Sequence, residues 1–231
     1  MIKLRNMLVA MVAILALSTS AYAGSFGIGA TGSMAVVSGQ GSSVEGTAAD
    51  ESPQAAEVTK NTALGSIFAE YSLDAFNGLT FGIDYIPGTA DVSKGFTRTD
   101  TNNAHLEESG SATSTVRSAN AEIDNHMTYY AELPIHAGLF VKAGLVKMDV
   151  TTKETGGNSL YGNASLDGTL LGAGYKTDIG SNMYYKIEGT YTDFDTLKLT
   201  STGGLGTVVN DSTISADLDV TKLTFALGYK F

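Results

Sequence analysis

The chain has 231 residues, a formal net charge of −10 and no cysteine. That length suits one domain or one membrane barrel. An acidic chain with no basic patch interleaved with aromatics repels phosphates and excludes nucleic acid as a partner. Without cysteine there is no disulfide framework and no acyl anchor, so core packing and backbone pairing must hold the fold.

In chain order, Lys3 and Arg5 precede an apolar run from Met7 to Leu17, and Ala21-Tyr22-Ala23 supplies small residues before Gly24. A charged start, a short apolar middle and an A-x-A site predict an export signal over residues 1–23. The run falls short of the roughly 20 apolar residues of a spanning helix, and no later segment reaches that length. Any membrane role therefore falls to strands.

The mature chain alternates. Phe26, Ile28, Ala30, Met34 and Val36 share one parity and Gly27, Gly29, Thr31, Ser33 and Ala35 the other, predicting a first strand. Residues 38–61 are polar and predict a loop. Ile67, Ala69, Tyr71 and Leu73 mark a second strand, a turn follows at Asp74–Gly78, and Leu79, Phe81, Ile83 and Tyr85 mark a third. Residues 87–117 predict another long loop. Ile123, Met127, Tyr129, Ala131 and Leu133 outline a fourth strand, with Pro134–Ala137 as its turn. Leu139, Val141, Ala143 and Leu145 outline a fifth; its continuation through Val146, Met148 and Val150 changes parity, which predicts a bulge near Leu145. After a polar stretch at 153–163, Thr169, Leu171, Ala173 and Tyr175 mark the sixth strand, and Met183, Tyr185, Ile187, Gly189 and Tyr191 the seventh. A Gly-rich stretch at 200–212 precedes the eighth, in which Leu223, Phe225, Leu227, Tyr229 and Phe231 form one apolar face.

The predicted connections alternate long and short, as in an up-and-down membrane barrel with tight turns at one rim. Both termini then fall at the short-turn rim. One parity is free of charge for about 9 residues at a time, the length with which a tilted strand crosses a bilayer. Tyr71, Tyr129, Tyr175, Tyr185, Tyr229 and Phe231 stand near strand ends on that face, as aromatic girdles do. The other parity carries Glu70, Asp84, Glu122, Asp124, Glu132 and Glu188 with Lys142, Lys176, Lys186, Lys222 and Lys230. Ionised side chains against lipid cost several kcal/mol each near the midplane, so this parity is expected inside. The fold class expected is all-β: an eight-stranded antiparallel transmembrane β-barrel, residues 24–231.

The signal, the alternation and the ending Phe225-Ala-Leu-Gly-Tyr-Lys-Phe231 resemble small OmpA-like outer-membrane barrels of Gram-negative bacteria. The resemblance implies a bacterial outer-membrane location, periplasmic termini and contact with outer-membrane lipids. It also implies recognition by the barrel-assembly machinery through Phe225, Leu227, Gly228, Tyr229 and Phe231, with Tyr229 and Phe231 as aromatic anchors. Nothing like the family's peptidoglycan-binding domain is expected after the barrel.

An eight-stranded barrel is only wide enough for side chains to fill, so Glu70, Asp84, Glu122, Asp124, Glu132, Lys142, Lys176, Lys186, Glu188 and Lys230 are expected as an interior charge network. The competing reading is a narrow path for ions or small solutes. A weaker one is an apolar conduit past Leu64, Phe68, Ile86 and Leu170. For catalysis the candidates are His105, His126 and His136, of which His126 shares a predicted face with Asp124, Thr128 and Tyr130. No positioned nucleophile accompanies them, so no enzyme is expected. Asp193, Asp195, Asp217 and Asp219 at the loop rim read as solvated carboxylates, because a hard cation needs a cage of oxygens; neither a metal nor another cofactor is expected. Loops 38–61 and 87–117 are candidates for contact with an extracellular partner, and Lys94, Arg98, Lys147, Lys153 and Lys198 for contact with lipid phosphates.

Overall fold

The computed structural model describes residues 24–44, 54–74, 77–91, 96–101, 114–155, 161–200 and 213–231. The expected signal peptide lies outside them. The described residues form strands β1 (Gly24–Val44), β2 (Gln54–Leu73), β3 (Leu79–Tyr85), β4 (Ala90–Asp91), β5 (Phe96–Thr101), β6 (Ser114–His136), β7 (Leu139–Thr155), β8 (Asn163–Ile179), β9 (Met183–Phe194), β10 (Leu197–Thr200) and β11 (Thr213–Lys230).

Eight of these strands close a ring. In the order β1-β2-β3-β6-β7-β8-β9-β11 each pairs antiparallel with the next, and β1 returns to β11 from Gly27↔Lys230 to Val44↔Thr213. The short strands extend members of the ring. β4 and β5 continue the line of β3 along β6, after an interruption at Pro87-Gly88 where Gly88 has φ +94°. β10 continues the line of β9 along β11. The chain is thus an all-β, up-and-down antiparallel membrane-spanning barrel of eight staves, two of them broken.

One rim carries both Gly24 and Phe231 and the tight turns after β2, β6 and β8. At the turn after β6, Ala137 and Gly138 both have positive φ (51° and 85°), so the reversal sits at 137–138 and Pro134 stays in the strand. The opposite rim is reached by strands far longer than a bilayer requires. β1 has 21 residues, β2 20 and β6 23, against roughly 9–11 for a tilted crossing strand. Much of what the sequence marks as loop at 38–61 and 87–117 is therefore strand: β1 and β2 pair through to Ser43↔Gln54, and β5 pairs with β6 through to Thr101↔Ser114. Backbone pairing carries these polar segments upward where no apolar alternation marks them.

The outward face has two zones. Near the short-turn rim it is a belt of Phe81, Leu133, Val141, Leu171, Tyr185, Phe225 and Leu227, with Phe225 58 % exposed and Leu145 62 % exposed. So wide an apolar surface is disfavoured in water and suits acyl chains. Beyond the belt the same parity of β7 carries Lys147 and Asp149, that of β8 carries Asp167 and Ser165, and those of β9 and β11 carry Asp193 and Asp219.

The inward face changes in the opposite sense. Val146, Met148, Val150, Leu166, Leu170 and Phe194 form a buried apolar core inside the barrel, and Ala121, Ile123, Leu197, Leu218 and Val220 pack against it. The apparent parity change on β7 is therefore no bulge near Leu145, because β7 and β8 stay in unbroken register from Leu139↔Tyr175 to Thr151↔Asn163. Each face keeps its direction while the medium outside changes from lipid to water, and the polarity of both faces inverts with it.

The irregularity is on β6 instead. Asp124 faces Asp149 and Met127 faces Lys147, leaving Asn125 and His126 as a bulge, with Asn125 at φ 50°. An extra residue reverses parity. Below the bulge Tyr130 and Glu132 point inward. Above it Ile123 does, paired with the buried Val150.

Candidate functional site: the barrel interior

The lower interior is built from long side chains on inward positions of β2, β6, β7, β8 and β9. They form one alternating chain of charge. Lys176 Nζ donates to Glu70 Oε1 at 2.6 Å, and Lys186 Nζ donates to Glu70 Oε2 at 2.8 Å and to Glu132 Oε1 at 2.9 Å. Lys142 Nζ lies 3.5 Å from the same Glu132 oxygen and 2.9 Å from both oxygens of Glu188. Tyr130 Oη donates to Glu70 Oε2 at 3.0 Å. Three ammonium groups and three carboxylates thus cross the barrel in sequence, with Glu132 and Lys186 each only 2 % exposed.

Buried charges of this kind survive only when paired and hydrogen-bonded. Here each charge has at least one partner of opposite sign, and the aromatic rings add to this. Lys142 lies 3.8 Å from the Tyr130 ring centroid and Lys186 4.7 Å from that of Phe68, close enough for cation–π attraction.

Room for these side chains comes from glycines opposite them. A Cβ at Gly82 would lie 2.3 Å from Tyr130 Cζ, and one at Gly228 would lie 2.2 Å from Tyr184 Cζ. Gly228, expected as part of the C-terminal recognition motif, therefore also has a packing role inside the barrel. Phe225, Leu227, Tyr229 and Phe231 of the same motif stand on the outward face, where the Tyr229 and Phe231 rings meet edge to face at 5.1 Å.

Above the charge chain lies a layer rich in hydroxyls. Ser66 Oγ donates to Asp84 Oδ2 at 2.6 Å and also contacts Thr31 Oγ1, while Ser33 and Thr224 share a hydrogen bond of 2.9 Å. The apolar core of Val146, Met148, Leu166, Leu170 and Phe194 closes the barrel over this layer. At the other end a vestibule of about 270 Å³ opens at the short-turn rim, bordered by Ser72, Thr80, Glu132, Phe140, Lys176 and Lys230. Lys230 pairs there with Asp178 at 2.6 Å.

Of the ten charges expected inside, Glu70, Asp84, Glu132, Lys142, Lys176, Lys186 and Glu188 lie in the interior, and Lys230 lies at its mouth. Glu122 and Asp124 do not. The β6 bulge turns both outward: Glu122 pairs with the exposed Lys153, and Asp124 accepts a 3.0 Å hydrogen bond from Asn125 Nδ2, which also reaches Asp149 Oδ2 at 2.9 Å. The same bulge parts His126 from Asp124, so the imidazole–carboxylate pairing considered for catalysis is not formed.

Lys147, a candidate for lipid phosphate, pairs with Asp167 at 2.7 Å. The side chains of Lys94, Arg98 and His105 lie outside the described residues. Asp217 accepts from Thr196 Oγ1 at 2.6 Å, and no cluster of metal-ligating side chains occurs among the described residues. Of the apolar core of the upper barrel, the sequence points only Leu170 inward. The core's signal was present in Val146, Met148 and Val150, which read as a register fault rather than as a change of surroundings.

No protein-family model matches the chain, and no curated protein sequence matches it either. Among solved structures it is similar to the outer membrane protein OprG from Pseudomonas aeruginosa, at 12 % identity and a TM-score of 0.44, over 91 % of this chain and 97 % of that one. It is also similar to the outer membrane protease OmpT from Escherichia coli, at 11 % identity and a TM-score of 0.42, over 89 % and 97 % of the two chains. A third is Ail, the attachment invasion locus protein of Yersinia pestis, at 13 % identity and a TM-score of 0.38, over 87 % and 98 %. At these scores the barrel's own geometry carries the functional argument.

Proposed function

We propose that this protein is a non-conducting, non-enzymatic barrel of a bacterial outer membrane, exported through residues 1–23, with both termini in the periplasm. It works as an envelope component and through the strand wall that rises beyond the lipid. One observation carries this reading: the interior is blocked at two levels by different means. The Lys176–Glu70–Lys186–Glu132–Lys142–Glu188 chain fills the lower half, and the Val146–Leu170–Phe194 core fills the upper. An ion would have to part buried pairs, each worth several kcal/mol once one member is stranded, and then cross a dry apolar layer.

The upper wall supports a surface role. Its outer face is polar and its inner face is packed, which suits recognition, and contact with an extracellular partner through segments 38–61 and 87–117 is part of the same proposal. The ending with Phe225, Leu227, Gly228, Tyr229 and Phe231 fits recognition by the barrel-assembly machinery, as the resemblance implies. The test is reconstitution of the refolded barrel in planar bilayers, with a parallel flux assay for small apolar solutes. No current steps and no flux above protein-free membranes are expected; reproducible unitary steps would support a transport barrel instead.

A further inference from the structure

Three alanines on the outward parity of the belt stand open to their surroundings: Ala30 on β1, Ala143 on β7 and Ala173 on β8 are all exposed. Ala69 on β2 has the same parity and is only 6 % exposed. Its neighbours account for the difference. Ala69 pairs with Ile83, and Ile83 with Tyr129, in one row across β2, β3 and β6; Tyr71 pairs with Phe81 in the next row. Between the rows lies an apolar groove of about 320 Å³, walled by Ala69, Tyr71, Phe81, Ile83 and Tyr129. Glu70, Gly82 and Tyr130 are direct partners beneath it. Glu70 and Tyr130 turn their side chains inward and Gly82 has none, so the floor is backbone.

What fills the groove follows from where it lies. Tyr71 and Ala69 stand two and four residues before Leu73, the end of β2 at the short-turn rim. At 3.3 Å per residue that is roughly 7–13 Å along the strand, and less in depth once strand tilt is counted, against an apolar band ~25 Å tall. The groove therefore lies within the lipid belt, in its rim-side half, and continues the exposed surface of Phe81 and Leu133. A lipid tail gains no hydrophobic energy by leaving other tails. It gains dispersion contacts, because a recess touches a guest on several sides and a convex wall on one.

We propose that this groove seats one acyl chain of a phospholipid from the membrane leaflet at the short-turn rim, and holds it longer than the lipids around the rest of the belt. The groove runs across three tilted strands, so the seated chain lies oblique to the bilayer normal and its neighbours. Ala69 is the residue that keeps the seat open, since any larger side chain there fills it. The inference rests on the outer-membrane reading of the barrel, but neither on a closed interior nor on a surface role.

The test uses the refolded mature barrel in nanodiscs of phosphatidylethanolamine and phosphatidylglycerol. Native mass spectra at rising activation should show one phospholipid still bound after the others have left. Ala69→Phe should lose that lipid, while Ala173→Phe, on an open stretch of the belt, should keep it; the heat-modifiable gel shift checks that both fold. A second measurement needs no variant: in the wild type, the Ala69 and Ile83 methyl groups should give stronger Overhauser cross-peaks to acyl methylenes than those of Ala143 and Ala173. No retained lipid, equal cross-peaks at all four residues, or a disulfide-linked dimer formed by Ala69→Cys in the bilayer would overturn the seat. A barrel that conducts and keeps the lipid leaves the seat standing and removes only the non-conducting reading. A chain that does not enter nanodiscs removes the membrane reading and the seat with it.

Discussion

Lys186 holds two carboxylates at once, Glu70 at 2.8 Å and Glu132 at 2.9 Å. It is the middle link of the interior chain, and shortening it to an apolar side chain strands negative charge where water does not reach. Lys186→Met is expected to cost about 3–5 kcal/mol, the usual penalty for removing one member of a buried pair, as read by urea unfolding of the refolded barrel. Glu122→Ala removes an exposed pair with Lys153 and should cost at most about 1 kcal/mol. The two substitutions would cost alike if Glu122 were part of the interior network. At Gly82 the limit is space: Gly82→Ala puts a methyl group 2.3 Å from the Tyr130 ring, and overpacking of that kind costs about 1–3 kcal/mol. Pairing it with Tyr130→Leu should restore part of the loss, whereas an effect on backbone freedom alone would not be relieved.

At the scale of the strand, β6 decides which charges are inside. Asn125 takes the left-handed conformation that asparagine tolerates better than most residues, and its amide is held by Asp124 and Asp149. Deleting Asn125 would restore simple alternation, turning Ile123 out to water and Glu122 and Asp124 into an apolar core. Loss of the folded form on semi-native gels is the expected outcome, while Asn125→Gly should fold. The clasp responds to pH as well. Hydrogen bonds from Ser165 and then Asn125 hold the Asp149 carboxyl below its ordinary 3.8. A lowered folded value contributes stability above the ordinary value and loses it as pH falls through the folded one. Protection factors of the amides at the β6–β7 bulge should therefore fall below about pH 4 and stay level between pH 6 and 8.

The same strand explains what could be read from sequence. Alternation over Leu223–Phe231 and Leu139–Leu145 marked the lipid-facing parity, because one apolar medium surrounds those residues. It could not mark the upper strands, where pairing rather than hydrophobic contrast carries the chain. Nor could it separate a change of medium from a change of register. Val146, Met148 and Val150 imitate a bulge that is absent, while Asn125-His126 hides a real one in a run of polar residues. Glu122 and Asp124 leave the interior for that reason, and Lys142, Lys186 and Glu188, far from any irregularity, stay inside it.

For the molecule as a whole, the barrel combines two proteins' rules in one wall. Around the lipid belt it is apolar outside and charged within; above the belt it is polar outside and apolar within, as a water-soluble barrel is. A charge at the belt's centre should therefore be far more costly than one above it. Leu227→Arg is expected to destabilise by about 2–4 kcal/mol, and Asp167→Arg by much less, in equilibrium unfolding from vesicles.

The most direct measurement of this inversion is a spin-label scan of β7, made simple by the absence of native cysteine. Single cysteines from position 139 to 150 would be labelled in the bilayer-inserted barrel and probed with oxygen and with a water-soluble nickel complex. The account predicts oxygen access at 139, 141, 143 and 145, nickel access at 147 and 149, and little access to either at 140, 142, 146, 148 and 150. Lipid access at the even positions, or one uniform medium from 145 through 149, would contradict it.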